Sequence, residues 1–243
     1  MSLTINQVSI GASIDWLTRG WKLFAKQWLK CIVCLVIAHV ACVILALIPI
    51  IGQIAAFFLM LSIPLCSFLA MEQIDQRGNF DLDQIFSKLK SKFLPAMFMY
   101  CCNIALLLLA MIISGAFIAG AVFFSHRQDA GSSVLQTIAI ILAFGTSIIS
   151  FTFASAANLF AVPLLALTKL SVFQIFKASI RAGFSNLIPM FVYAIVMVLL
   201  SVLCVLTLGI GFLVLIPASY CAIYFAAKDI FQIDQVEGQG LRL

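Results

Sequence analysis

Trp16-Leu17-Thr18-Arg19-Gly20-Trp21-Lys22-Leu23-Phe24-Ala25-Lys26-Gln27-Trp28-Leu29-Lys30 runs without a break into residues 31–48, which hold no Asp, Glu, Lys or Arg. A basic, aromatic stretch that hands over to about 20 apolar residues suits a chain that meets a membrane surface and then crosses a hydrocarbon layer of about 30 Å. Ile10, Ile14, Leu17, Trp21, Phe24 and Trp28 recur at helical spacings. Arg19, Lys22, Lys26 and Lys30 take the opposing face. The spacing predicts an interfacial helix over residues 9–30, with Trp16, Trp21 and Trp28 as anchors and the cations among headgroups.

The arrangement returns twice. Leu82, Ile85, Phe86, Leu89 and Phe93 form a second apolar stripe, closed by Lys88, Lys90 and Lys92. Val172, Ile175, Phe176, Ile180 and Phe184 form a third, opposite Lys177 and Arg181. Asp81 with Gln84, and Ser171 with Gln174, have the spacing of capping boxes. Each stretch precedes two apolar runs, and six charge-free runs result: residues 31–48, 51–71, 94–124, 134–167, 187–206 and 210–227. Prolines recur in step: Pro95 and Pro189 where stretches meet spans, and Pro64, Pro163 and Pro217 inside the second run of each unit. The pattern predicts an all-α polytopic membrane protein: six spans in three repeats, residues 9–71, 81–167 and 171–228, each an interfacial helix plus a hairpin. Residues 1–243 form one membrane domain, with 229–243 as a short tail. The third and fourth runs are longer than a bilayer needs, which predicts a hairpin projecting on the outer side.

Composition agrees. Hydrophobic residues make up 64% of the chain and charged residues 9%, far below the quarter usual in soluble domains. Mean hydropathy is +1.20. The net charge of +5 reads as topology, because every Lys and Arg except Arg127 falls on one side of the six runs. The positive-inside rule places that side, and both termini, in the cytoplasm. No nucleic-acid partner is implied. No cleavable signal peptide is expected, since the first apolar run opens only at Cys31, and neither Ser2 nor the last four residues fits a lipidation signal. The eight cysteines fall mostly within the spans and read as small hydrophobes.

Buried polar groups are the candidates for chemistry. His39 is the sole histidine within a span, on the run that also carries Cys31, Cys34 and Cys42, but it lies on a different face from Cys31 and Cys34. A neutral imidazole bonded to a neighbouring helix is favoured over metal or haem ligation, and no metal or cofactor is expected. Asn103 and Asn158 are buried amides in the two long runs, and Ser150, Ala154 and Asn158 line a seam that favours helix packing over a substrate path. Zinc-protease, dinucleotide-loop and P-loop signatures are absent.

The segment Gly20-Trp21-Lys22-Leu23-Phe24, on an amphipathic helix ahead of a hairpin, resembles an uncharacterised bacterial six-helix inner-membrane family that opens with a Gly-Trp-x-Leu-Phe motif. In that family a proline often follows the motif, where Gln27 and Trp28 stand here. The resemblance implies location and topology and carries over no catalytic residue. A looser similarity, to the membrane domains of some bacterial glycerophosphodiester phosphodiesterases, implies lipid-related work. The expected function is that of a non-enzymatic, multi-pass protein of the bacterial inner membrane that organises anionic lipids or partner proteins, including a second copy, at the cytoplasmic face. The alternative is a transporter or channel for an apolar or lipid-like substrate.

Overall fold

The computed structural model describes residues 5–125 and 130–233, without the side chains of 124, 130, 132 and 149–156. His126, Arg127 and Arg242, and the side chains of Ser150 and Ala154, fall outside that description. The described residues are helical and contain no strand. The helices are α1 (Ala12–Lys26), α2 (Trp28–Ala46), α3 (Ile51–Arg77), α4 (Leu82–Ser125), α5 (Ala130–Leu159), α6 (Ala161–Leu167), α7 (Val172–Ser185), α8 (Leu187–Leu206) and α9 (Phe212–Phe231). Among the described residues five helices are long and apolar enough to cross a membrane: α2, α3, α4, α8 and α9. The 30-residue α5 packs along α4.

Three boundaries differ from those the sequence predicts. The first amphipathic helix stops at Lys26, because Gln27 leaves helical geometry with φ −139° and ψ 33°. Trp28 and Lys30 therefore open the spanning helix α2 and do not belong to the interfacial one. The second amphipathic stretch is not a separate helix. It forms the first turns of α4, which runs 44 residues straight through Pro95. A proline frees the carbonyl four residues back, here that of Ser91, and Ser91 is exposed, so the break costs little. The fourth run splits in two. Phe160 sends its N–H to Ser179 Oγ at 3.1 Å, outside the helical ladder. Pro163, whose ring would press on the Leu159 carbonyl, follows three residues later.

Helix starts follow the sequence in part. Ser171 and Gln174 form the expected reciprocal capping box at α7. At α4 the Asp81 carboxylate accepts the Asp83 N–H at 3.0 Å, but the Gln84 amide bonds that carboxylate at 3.3 Å and leaves the backbone alone. The Asp81 N–H goes to Gln73 Oε1.

The turns of two hairpins share a device. Gly52 and Gly211 each sit where an added Cβ would overlap the preceding helix, at Leu45 and Cys204 respectively. Gln27 and Gly52 are as far apart in sequence as Asn186 and Gly211, and the Asn186 backbone (φ −121°, ψ 33°) matches that of Gln27.

One end of the molecule carries the core. There α1, α7 and the first turns of α4 pack around the C-terminal turns of α3 and α9 and around α6. The helices α3, α6 and α9 touch one another pairwise. Leu69, Leu164, Cys221 and Ile230 of this meeting are fully buried. Away from it the helices separate. The apolar windows of α3 and α9 are 44% and 39% buried, against 17%, 11% and 6% for α2, α4 and α8. Leucine, isoleucine and valine point outward over one broad side of α8, opposite buried Pro189, Tyr193 and Cys204, a distribution suited to lipid.

Candidate functional site

Most of the described charged side chains gather where amphipathic segments meet the long apolar helices, and two groups stand out among them. The first group holds the fold together. Trp16 is fully buried against α9 and its indole N–H donates to Asp229 Oδ2 at 2.9 Å. Arg19 grips the same carboxylate through both terminal nitrogens, reaches Asp15 Oδ2 with Nε at 2.8 Å, and lies 4.7 Å from the Phe225 ring centroid. Lys228 pairs with Asp75 at 2.7 Å, and the Tyr224 hydroxyl donates to the same oxygen at 3.0 Å. Lys88 pairs with Glu72 at 2.7 Å, joining α4 to α3.

Trp16 and Arg19 are thus not headgroup anchors, as the sequence suggested. The buried face of α1 is Ser13, Trp16, Gly20, Leu23 and Phe24. That stripe is rotated from the predicted one, so that Ile10, Ile14, Trp21 and Trp28, members of the predicted stripe, are exposed. Its small members explain the miss. The Ser13 hydroxyl donates to the Pro189 carbonyl at 2.7 Å, and Gly20 lets α1 approach α9 so closely that a Cβ there would sit 2.7 Å from the Ala222 nitrogen. Neither residue registers as hydrophobic, although their spacing with Trp16 and Leu23 is helical. Asp229 lies within α9, at the point where a free tail was expected, because Ile230 and Phe231 beyond it are fully buried.

The junctions share a plan. Gln27 donates to the Gly78 carbonyl at 3.1 Å, just ahead of α4, and Lys30 beside it reaches the Phe80 carbonyl at 2.6 Å. Lys92 donates to the carbonyls of Leu165 and Thr168, just ahead of α7, where a cation also suits the C-terminal end of α6. Asn186 accepts the Val8 N–H at 2.9 Å and donates to the Asn6 carbonyl at 3.1 Å, just ahead of α1. Each junction side chain thus holds the segment that leads into another amphipathic stretch. In the same sense α1 packs on α9, α4 on α3, and α7 on α5 and α6. Lys30 and Lys92, two of the predicted headgroup cations, are engaged in this way.

The second group points outward. Lys22, Lys26, Lys90, Lys169, Lys177 and Arg181 are exposed, and no described carboxylate lies within ion-pair distance of any of them. Of the six described carboxylates, Asp15, Glu72, Asp75 and Asp229 are in ion pairs, Asp81 caps α4 and Asp83 sits in its first turn. Aromatic rings stand beside five of these cations. Trp21 and Trp28 flank Lys22 and Lys26, Phe86 and Phe93 flank Lys90, and Phe173 and Phe184 flank Lys177 and Arg181, all exposed. At the α1–α2 elbow a shallow groove of about 420 Å³ is lined by Lys26, Gln27, Trp28, Leu29, Lys30 and Val33. Cation, indole and aliphatic side chains thus follow one another down the elbow. A second groove, of about 480 Å³, lies where residues 6–9 and Ala12 meet Lys228, Asp229 and Gln232.

The intramembrane candidates separate. His39 Nδ1 meets the Leu35 carbonyl of its own helix at 2.8 Å. Among the described residues no group of three or more His, Cys, Asp or Glu could hold a metal ion. Asn103 on α4 has a buried amide oxygen without a hydrogen-bond partner among the described residues. Asn158 on α5 is half-buried and engaged. The three residues sit on three different helices. Tyr193 of α8, which the sequence did not single out, also has a buried hydroxyl without a partner among the described residues. No family model, curated protein or solved structure matches this chain.

Proposed function

We propose that the chain is a six-span protein of the bacterial inner membrane in which three units close into a ring, and that its work is to gather anionic lipid at the cytoplasmic face. In this reading α5 is the sixth span and the junction end faces the cytoplasm with both termini. The one observation that carries the lipid reading is the set of exposed cations without a described carboxylate, of which Lys22, Lys26, Lys90, Lys177 and Arg181 stand among exposed aromatic rings. A phosphate headgroup supplies the missing charge, indole and phenyl rings favour the interfacial layer, and each basic residue near an anionic surface contributes about 1 kcal/mol. The repeated junction plan and the cyclic packing of amphipathic segments support the ring. The filled meeting of α3, α6 and α9 favours a scaffold over transport along its axis.

The test places full-length protein in nanodiscs of phosphatidylcholine with a fixed fraction of phosphatidylglycerol, and counts retained lipids by native mass spectrometry. Phosphatidylglycerol is expected to be enriched. Replacing Lys22→Gln and Lys26→Gln together is expected to weaken retention at the elbow roughly 30-fold, the equivalent of about 2 kcal/mol. Equal retention of both lipids by the parent protein would end the reading.

A further inference from the structure

The three hairpins are unequal, and the inequality has a physical consequence for the bilayer. The helix α2 has 19 residues and α8 has 20, so each rises about 30 Å and matches an ordinary hydrocarbon layer. In α4, Lys92 is fixed at the junction level by its bonds to Leu165 and Thr168. Beyond it, residues 94–123 contain no charged side chain. That stretch rises about 45 Å, roughly 15 Å more than the layer. Its far half is not shielded by protein. Met111, Ile112, Ile118, Val122 and Phe123 are all more than half exposed, as are Ile141 and Phe144 on α5. The two helices are also locked together. Ala121, Ala139 and Ala143 are buried, and Ser114 is bonded to Thr146 at 3.3 Å and to Ser147 at 3.0 Å. Small residues and hydroxyl bonds make this a close helix pair, so α4 and α5 tilt together or not at all.

Tilt alone would have to reach nearly 50° to submerge the arm, beyond the range of about 0–40° seen for spanning helices. We infer that the α4–α5 arm stays in lipid and imposes a locally thick bilayer, so that it collects long-chain lipids on one side of the molecule while α2 and α8 sit in a layer of ordinary thickness. The exposed surface of α4 from Met111 to Phe123 is apolar, and that of α5 is apolar beyond Ser133, Gln136 and Thr137 near the turn as far as Phe144, which favours hydrocarbon as the occupant over water, and over a partner protein standing outside the membrane.

The inference uses membrane embedding but not the headgroup preference, so the two fail separately. Full-length Val122→Cys and Ile118→Cys proteins would be placed in nanodiscs of fixed phosphatidylglycerol content made from fourteen-, eighteen- or twenty-two-carbon monounsaturated lipids. Labelling by a membrane-impermeant maleimide would be followed against the background of the native cysteines. Val122→Cys is expected to label about tenfold faster in the thinnest bilayer than in the thickest, with Ile118→Cys, about one turn nearer the junction, protected throughout most of the series. Fast labelling of both in every bilayer would put the arm in water and make its surface a protein contact. Equal protection in every bilayer would show an arm lying flat and would equally overturn the proposal.

Discussion

The junction end and the outer arms of this protein are built by different rules from similar residues. At the junctions Trp16, Leu69, Leu164 and Ile230 are fully buried and ion pairs cross between helices. Along the outer side of α8 the same kinds of aliphatic side chain, such as Val198, Leu199 and Leu203, are more than half exposed. In water such a helix would not stand alone. In a bilayer the tails are as apolar as leucine, so an isolated helix loses nothing by facing them, and its backbone is satisfied internally. Tertiary stability therefore concentrates where the chain meets water and headgroups, and the arms are held by their roots.

The comparison breaks most visibly if equivalent truncations cost the same at both places. Leu69→Ala empties fully buried space and is expected to lower unfolding stability by about 3 kcal/mol. Leu199→Ala, on the exposed side of α8, is expected to change it by less than about 0.5 kcal/mol, since lipid fills the gap. Graded unfolding of each variant in mixed micelles measures both. A comparable loss from Leu199→Ala would mean that α8 is covered by another protein surface.

Next in size is the clasp between the first and last helices. Asp229→Ala leaves the terminal nitrogens of Arg19 and the buried Trp16 N–H without their acceptor, while Arg19 keeps Asp15. Both carboxylate and guanidinium side chains are about one-third exposed, which softens the penalty. The expected loss is about 2 kcal/mol, with a red shift of tryptophan emission as Trp16 gains access to water. An unchanged stability would remove the closure of the last unit onto the first.

Most of the fold was legible in the chain, and the illegible parts share a cause. Helices and turns follow from charge-free runs and from the residues between them, because a bilayer forces every span to declare itself in composition. The contact of α1 with α9 was not legible. Ser13 and Gly20, which allow it, carry no hydrophobic signal, and their partners Pro189 and Ala222 lie across the whole chain. The roles of the cations were hidden for a related reason. Arg19, Lys30 and Lys92 look like solvated charges until their acceptors, Asp229, Phe80 and Thr168, are brought beside them by tertiary structure. The continuity of α4 was masked by Pro95, which signals a break in water but is tolerated where the freed carbonyl is exposed.

The smallest expected effects separate two lysines that a sequence treats alike. Lys92 donates to two carbonyls at the end of α6, whereas Lys177 stands exposed on α7 beside Phe173. Lys92→Gln shortens the side chain and removes the charge, so both carbonyls lose their donor, for an expected stability loss of about 1 kcal/mol. Because that ammonium is already engaged, anionic lipid retention should scarcely change. Lys177→Gln should do the opposite, leaving stability within about 0.5 kcal/mol and weakening phosphatidylglycerol retention by about 1 kcal/mol, an effect that fades as salt is raised. Unfolding curves and native mass spectrometry on the same two proteins read both quantities. If Lys92→Gln instead lost lipid and Lys177→Gln instead lost stability, the division of the basic residues into structural and lipid-facing groups would be reversed at these positions, and the proposal that the exposed cations gather anionic headgroups would lose its basis.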